Sequence, residues 1–160
     1  MGAVILGKTT CGICGRPLLK GEDVISFSPF VTNEADPIHF FSDRAFHARC
    51  FATHPRAVEA RGRFNELRSR TAPGCRKCVV CNDEVRDPDD YLSFGYIAEH
   101  PDTLHRLNYL QFHRQHVPEW SDLQAAHKAL VDLEASGVWK GPGLRWLIEQ
   151  LGMALTSTIS

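Results

Sequence analysis

The chain has 160 residues, 43% of them apolar and 23% charged, with 18 basic against 19 acidic side chains and a formal charge of −1. This composition excludes a collagen, a coiled-coil rod and a fully disordered tail, and the near-neutral charge leaves any attraction to nucleic acid or an anionic membrane to a local patch. No run approaches the roughly 20 apolar residues of a membrane-spanning helix, because even LRWLIEQLGMAL carries Arg145, Glu149 and Gln150.

In chain order, residues 1–8 (MGAVILGK) read as a short strand or an ordered arm. They lack the charged n-region and cleavage site of a signal peptide, and Leu6 breaks the Ser/Thr position of a myristoylation signal, so a cytoplasmic, reducing compartment is expected. There, close cysteine pairs accompanied by histidines are metal ligands rather than disulfides. The first pair is Cys11-Gly-Ile-Cys14. Apolar runs 23–31 and 37–46 predict strands around the loop TNEADP, and His47-x2-Cys50 then opens a helix. Past Pro55, RAVEARGRFNELRSR sets Ala57, Ala60, Phe64 and Leu67 on one helical face. Arg56, Arg63 and Arg70 follow one edge of that face, and Arg61 and Arg68 the other.

Cys78-Val-Val-Cys81 begins the second half, with strands expected over 90–98 and 103–112 and His113-x2-His116 opening another helix. Ser121 is a candidate N-cap for DLQAAHKALVDLEASG, whose Leu123, Ala126, Leu130 and Leu133 form a narrow stripe that Gly137 stops. After GPG, a final amphipathic helix is predicted through Leu144, Leu147, Ile148 and Leu151, and the tail TSTIS frays. The divisions expected are a first zinc-binding unit over 1–74, a second over 75–137, and a C-terminal helix and tail over 138–160.

The two halves repeat. Cys11-x2-Cys14 recurs 67 residues later as Cys78-x2-Cys81, and the same offset carries DVISF onto DYLSF. Beyond the loop the offset is 66, placing His47 on His113 and Cys50 on His116. Cys11, Cys14, His47 and Cys50 are thus one candidate ligand set, and Cys78, Cys81, His113 and His116 the other. A tight knuckle aims two sulfurs at one ion and needs an αL-tolerant residue just after, supplied by Gly15 and Asn82. At a helix start, positions i and i+3 share a face and complete a tetrahedron around Zn²⁺, where the helix dipole favours the Cys50 thiolate. Buried core cysteine is the bland alternative, but a core requires neither the spacing nor its repetition. Cys75 forms CRKC with Cys78 outside the repeat register and reads as a plain thiol or a substitute ligand, while His39 and His105 read as strand histidines, supports that orient a ligand, or swapped ligands.

A knuckle, a hairpin and two ligands from a helix resemble the treble-clef zinc fingers, and FHARC preceded by CGICG is similar to half of a LIM domain. The resemblance spans most of 9–120, although a LIM domain follows His-x2-Cys with a further cysteine pair and residues 51–74 hold none. It implies an α+β fold of two small zinc-bound treble-clef-like units, each a β-hairpin plus a short helix, with additional C-terminal helices. The cofactor implied is Zn²⁺, two per chain and structural, in a non-enzymatic protein-interaction or adaptor module.

Residues 44–77 hold nine basic side chains against Glu59 and Glu66, whereas 83–134 hold four against eleven acidic ones. Arg56, Arg61, Arg63, Arg68 and Arg70 are therefore candidate contacts for nucleic acid or an acidic partner, and the alternative function is a nucleic-acid-associated regulator. The bland alternative is arginine stems flanking an apolar stripe. A treble-clef metal-dependent nuclease, with HRLNYLQFHRQH as its segment, is the remote third reading; the chain has no Gly-rich phosphate loop, G-x-S-x-G or HExxH.

Overall fold

The computed structural model describes residues 4–99 and 104–157. The first three residues of the expected arm, residues 100–103 of the second loop and apolar run, and residues 158–160 of the expected tail lie outside the described residues. The architecture is mixed α and β, with two small antiparallel sheets and several helices. The chain divides into two compact units, Met1–Val31 with Asp36–Glu66, and Thr32–Ala35 with Leu67–Ser160.

The first unit starts from a cysteine knuckle. Thr10 bridges Pro17, the Cys11 amide donates to the Arg16 carbonyl (2.8 Å), and the Gly15 amide returns to the Cys11 carbonyl (2.9 Å). Closing so tight a loop takes a left-handed residue, and Gly15 has φ 72°. Strand β1 (Val24–Ser26) pairs antiparallel with β2 (Ala45–His47), Val24 opposite His47. Helix α1 (Ala48–Ala52) follows directly, its first amide donating to the Asp23 carbonyl at 2.7 Å.

The second unit repeats these connections bond for bond. Lys77 bridges Glu84, Cys78 donates to the Asp83 carbonyl (2.9 Å), and Asn82, at φ 62°, donates to the Cys78 carbonyl (2.8 Å). Strands β3 (Tyr91–Ser93) and β4 (Gln111–His113) pair with Tyr91 opposite His113. The Arg114 amide donates to the Asp90 carbonyl at 2.7 Å, as Ala48 does to Asp23.

Several sequence expectations are corrected. Each strand is three residues long. The run after the first loop folds as a 3-10 helix, Pro37–Phe41, because the Asp36 carboxylate accepts the Ile38 amide (2.8 Å) and Pro37 tolerates a first-turn position where no amide is needed. Its counterpart likewise holds a 3-10 turn, His105–Leu107. Short apolar runs carry no periodicity that separates a strand from a buried turn. The pair His113-x2-His116 opens a 3-10 helix, Arg114–Glu119, rather than an α-helix, since in an α-helix the Pro118 ring would clash with the carbonyl four residues back, that of Arg114. Residues 6–8 form a turn, not a strand, and the residue preceding the long helix of the second unit is Asp122 instead of Ser121.

The two cores differ in composition. Seven of the nine phenylalanines lie in the first unit's stretches. Phe27 is the hub, its ring centre 5.0–6.5 Å from those of Phe30, Phe41, Phe46, Phe51 and Phe64. Helix α2 (Ala57–Thr71) supplies Phe64 and buries Ala57 and Ala60. The second unit packs aliphatic residues with Trp120 and Trp139, using α3 (Leu123–Ala135) and α4 (Gly143–Ser157). Leu123, Ala126 and Leu130 of α3 share that core with Leu144, Leu147, Leu151 and Ala154 of α4. Trp146 is the exposed tryptophan at 42%.

Gly12 shows how closely the first knuckle rides on this core. Its amide donates to the Ala45 carbonyl (3.0 Å), and a Cβ there would stand 2.7 Å from Cε1 of the fully buried Phe46. Gly12→Ala is expected to destabilise the metal-loaded protein by about 1–3 kcal/mol through overpacking, measured by denaturant unfolding; unchanged stability would show that Phe46 has room to move.

Candidate metal centres

Two groups of side chains converge among the described residues. Donor atoms of Cys11, Cys14, His47 and Cys50 lie within 4.8 Å of one another, as do those of Cys78, Cys81 and His116. In each group the knuckle provides two sulfurs, and the end of the second hairpin strand or the helix that follows it provides the rest.

The spacings suit a tetrahedral ion. Bonds of about 2.0–2.3 Å to nitrogen and sulfur place neighbouring donors roughly 3.4–3.8 Å apart. His47 Nδ1 is 3.4 Å from Cys14 Sγ and 3.9 Å from Cys50 Sγ, and His116 Nδ1 is 3.8 Å from Cys78 Sγ. Thiolate and imidazole donors are those taken by zinc. Cys11 and Cys78 are each 1% exposed, so both groups are rooted in the core.

The backbone prepares some of these thiols for ionisation. Burial works against Cys78, but amides of Cys81, His113 and Val80, together with the His116 ring, outweigh it and bring its pKa down to about 7. Cys11 is lowered in the same way against its own burial, by the amides of Cys14, Ile13 and His47. Cys14 falls to about 6 because the Arg16 amide and guanidinium both point to its sulfur. The position equivalent to Arg16 is Asp83. Although the Asp83 amide lowers Cys81, burial, the adjacent Cys78 and the Asp83 carboxylate together raise it. Burial and the neighbouring Cys14 and Cys11 also raise Cys50, so the expected help from the helix dipole is outweighed.

His113 stands apart from the convergent trio. Its Nδ1 lies 2.6 Å from Asp90 Oδ2, and its ring centre 5.1 Å from that of His116. His47 has a similar partner, with Nε2 3.2 Å from Glu22 Oε2. Neither carboxylate was singled out by spacing. The signal available was the aspartate that opens DVISF and DYLSF, which marks Asp90 correctly but points to Asp23 where the structure uses Glu22.

Cys75 is exposed and belongs to neither group, and His39 is likewise outside both. His105 Nδ1 lies 3.4 Å from the Ala98 carbonyl and 3.3 Å from Asn108 Nδ2. Asn108 in turn accepts the amides of Ile97 (2.6 Å) and Ala98 (3.0 Å), so the polar residues of the nuclease-like segment are engaged in shaping a loop.

The basic helix is similarly occupied. Arg63 pairs with Asp36 (2.5 Å) and Glu59 (2.9 Å), Arg56 reaches Glu59 (3.1 Å), Arg61 lies over the Phe51 ring (5.2 Å), and Arg70 lies over Tyr109 (5.3 Å). No helix among the described residues is long and apolar enough to cross a membrane. Compared with protein-family models, curated proteins and solved structures, the chain matches none.

Metal occupancy is expected to fall with acid. Cys14 and Cys78 are depressed from the ordinary thiol value of 9.0 to about 6 and about 7, so their thiolate form is favoured above those values and lost as pH drops through them. A bound cation pushes both lower still. Zinc affinity should therefore fall as pH drops through about 7 and 6, with release at lower pH still, followed with a chromophoric chelator; an affinity that does not change between about pH 7 and 5 would exclude thiolate ligation.

Proposed function

We propose that the protein is a non-enzymatic interaction module of two tandem treble-clef-like units, each organised by one structural Zn²⁺, that docks on another protein. The observation carrying this reading is the duplicated frame: the same knuckle bonds, hairpin register and strand-to-helix step surround sulfur and nitrogen donors in both halves. The first unit, Met1–Val31 with Asp36–Glu66, is small enough that its apolar core is marginal alone, and a structural zinc worth on the order of 10–16 kcal/mol decides whether it folds.

Four protein donors gathered in the first group favour a closed structural site, because catalytic zinc keeps a position open. The internal partners of Arg56, Arg61, Arg63 and Arg70 favour a protein over nucleic acid, since those guanidinium groups already serve the fold. Exposed Trp146 and Met153 on α4 supply the aromatic and flexible apolar contacts that recur at protein interfaces.

Elemental analysis of protein purified without added metal should find two zinc ions per chain. Cys11→Ser should lose one, Cys78→Ser the other, and Cys75→Ser neither; absence of zinc in the unmodified protein would end the proposal. Partner class is tested by titrating duplex and single-stranded DNA at several salt concentrations. Little binding is expected at physiological salt, whereas tight, salt-steep binding abolished by Arg61→Gln with Arg68→Gln would establish the nucleic-acid reading instead.

A further inference from the structure

A ligating imidazole has two nitrogens, and the hydrogen bond made by one determines which is left for the metal. In the first unit, Glu22 meets Nε2 of His47 and Nδ1 faces the sulfurs of Cys14 and Cys50. In the second, Asp90 meets Nδ1 of His113, leaving Nε2 unclaimed by that carboxylate. The two histidines hold identical places in their hairpins, opposite Val24 and opposite Tyr91. What differs is where the carboxylate enters. Asp90 directly precedes its strand, whereas Glu22 stands one residue further back on a longer side chain.

Both carboxylates are themselves held. Glu22 Oε2 also accepts the Leu19 amide (2.8 Å), and Asp90 Oδ1 accepts the Gln115 amide (3.4 Å). Each is therefore a fixed anchor for a ring. Two imidazoles on one tetrahedral ion, with bonds of about 2.0–2.1 Å, place their ring centres roughly 5 Å apart. The 5.1 Å separation of His113 and His116 meets that condition, although His113 is not within the 4.8 Å convergence of the other three donors.

We infer that Glu22 and Asp90 are positioning residues that select opposite imidazole nitrogens for the metal, Nδ1 of His47 in the first site and Nε2 of His113 in the second. The ring of His113 then completes a Cys2His2 set by adjusting about its own side chain while Asp90 retains Nδ1. This inference rests on the zinc reading above.

Long-range ¹H–¹⁵N correlation of the imidazoles in zinc-loaded, ¹⁵N-labelled full-length protein reads the result without any substitution. His47 should carry its proton on Nε2 and His113 on Nδ1, each with the other nitrogen shifted by metal. The same ligating nitrogen in both, or a His113 ring that titrates freely, would overturn the inference. In a protein that still holds two zinc ions, either outcome leaves the zinc reading standing; a protein without zinc removes both. In chelator competition, Asp90→Asn should weaken zinc about 10–100-fold at the second site only, and Glu22→Gln at the first only. Unchanged affinity together with an unchanged tautomer in Asp90→Asn would also refute the role of Asp90.

Discussion

Sulfur atoms brought together without a cation repel one another once they ionise, and the two units are organised around that constraint. In the first, backbone amides lower Cys11 and Cys14, and the resulting negative charge pushes Cys50 the other way. A divalent cation resolves the conflict by neutralising all the thiolates at once. The knuckle turns, the hairpin register and the step into the following helix are the covalent and hydrogen-bonded means of holding those donors at one point.

The halves solve the remaining packing problem in unlike ways. The first fills its interior with phenylalanine rings centred on Phe27, large side chains that occupy volume with few residues. The second, with only Phe94 and Phe112, completes its core with aliphatic side chains of the paired helices α3 and α4. Their charge environments diverge too. A three-thiolate set beside Arg16 can carry an extra negative charge, whereas a two-thiolate set beside Asp83 and Asp90 is better served by neutral imidazoles. Where the first unit has Arg16 lowering the Cys14 thiol, the second has Asp83, whose carboxylate raises Cys81.

What could be read from residues alone was whatever depends on spacing. Two-residue gaps, repeated at a constant offset, disclosed both knuckles, including the left-handed turns at Gly15 and Asn82. Long periodic helices were also legible, since α3 and α4 show their buried stripes in the residue pattern. The apolar runs following the loops were not, because Asp36, with its carboxylate on the Ile38 amide, turns a run of strand-like composition into a 3-10 helix. The carboxylate that holds His47 was missed for a different reason: the repeat points to Asp23, but a side chain one residue away can reach a different nitrogen of the same ring, and spacing records no side-chain length.

The loop segment Thr32–Ala35 belongs by its contacts to the second unit, although the residues on either side of it belong to the first. Asn33 accepts the Lys140 amide at 3.0 Å and the Glu34 amide donates to the Lys140 carbonyl at 3.0 Å, the first of these at a sequence separation of 107. So distant a closure is slow, because chain entropy must be lost before the contact returns any energy. As the chain leaves the ribosome, those four residues are made early and wait for almost all of the remainder. The second unit is therefore completed by a piece of chain older than its own cysteine knuckle, and a break between the two halves would leave it without that segment.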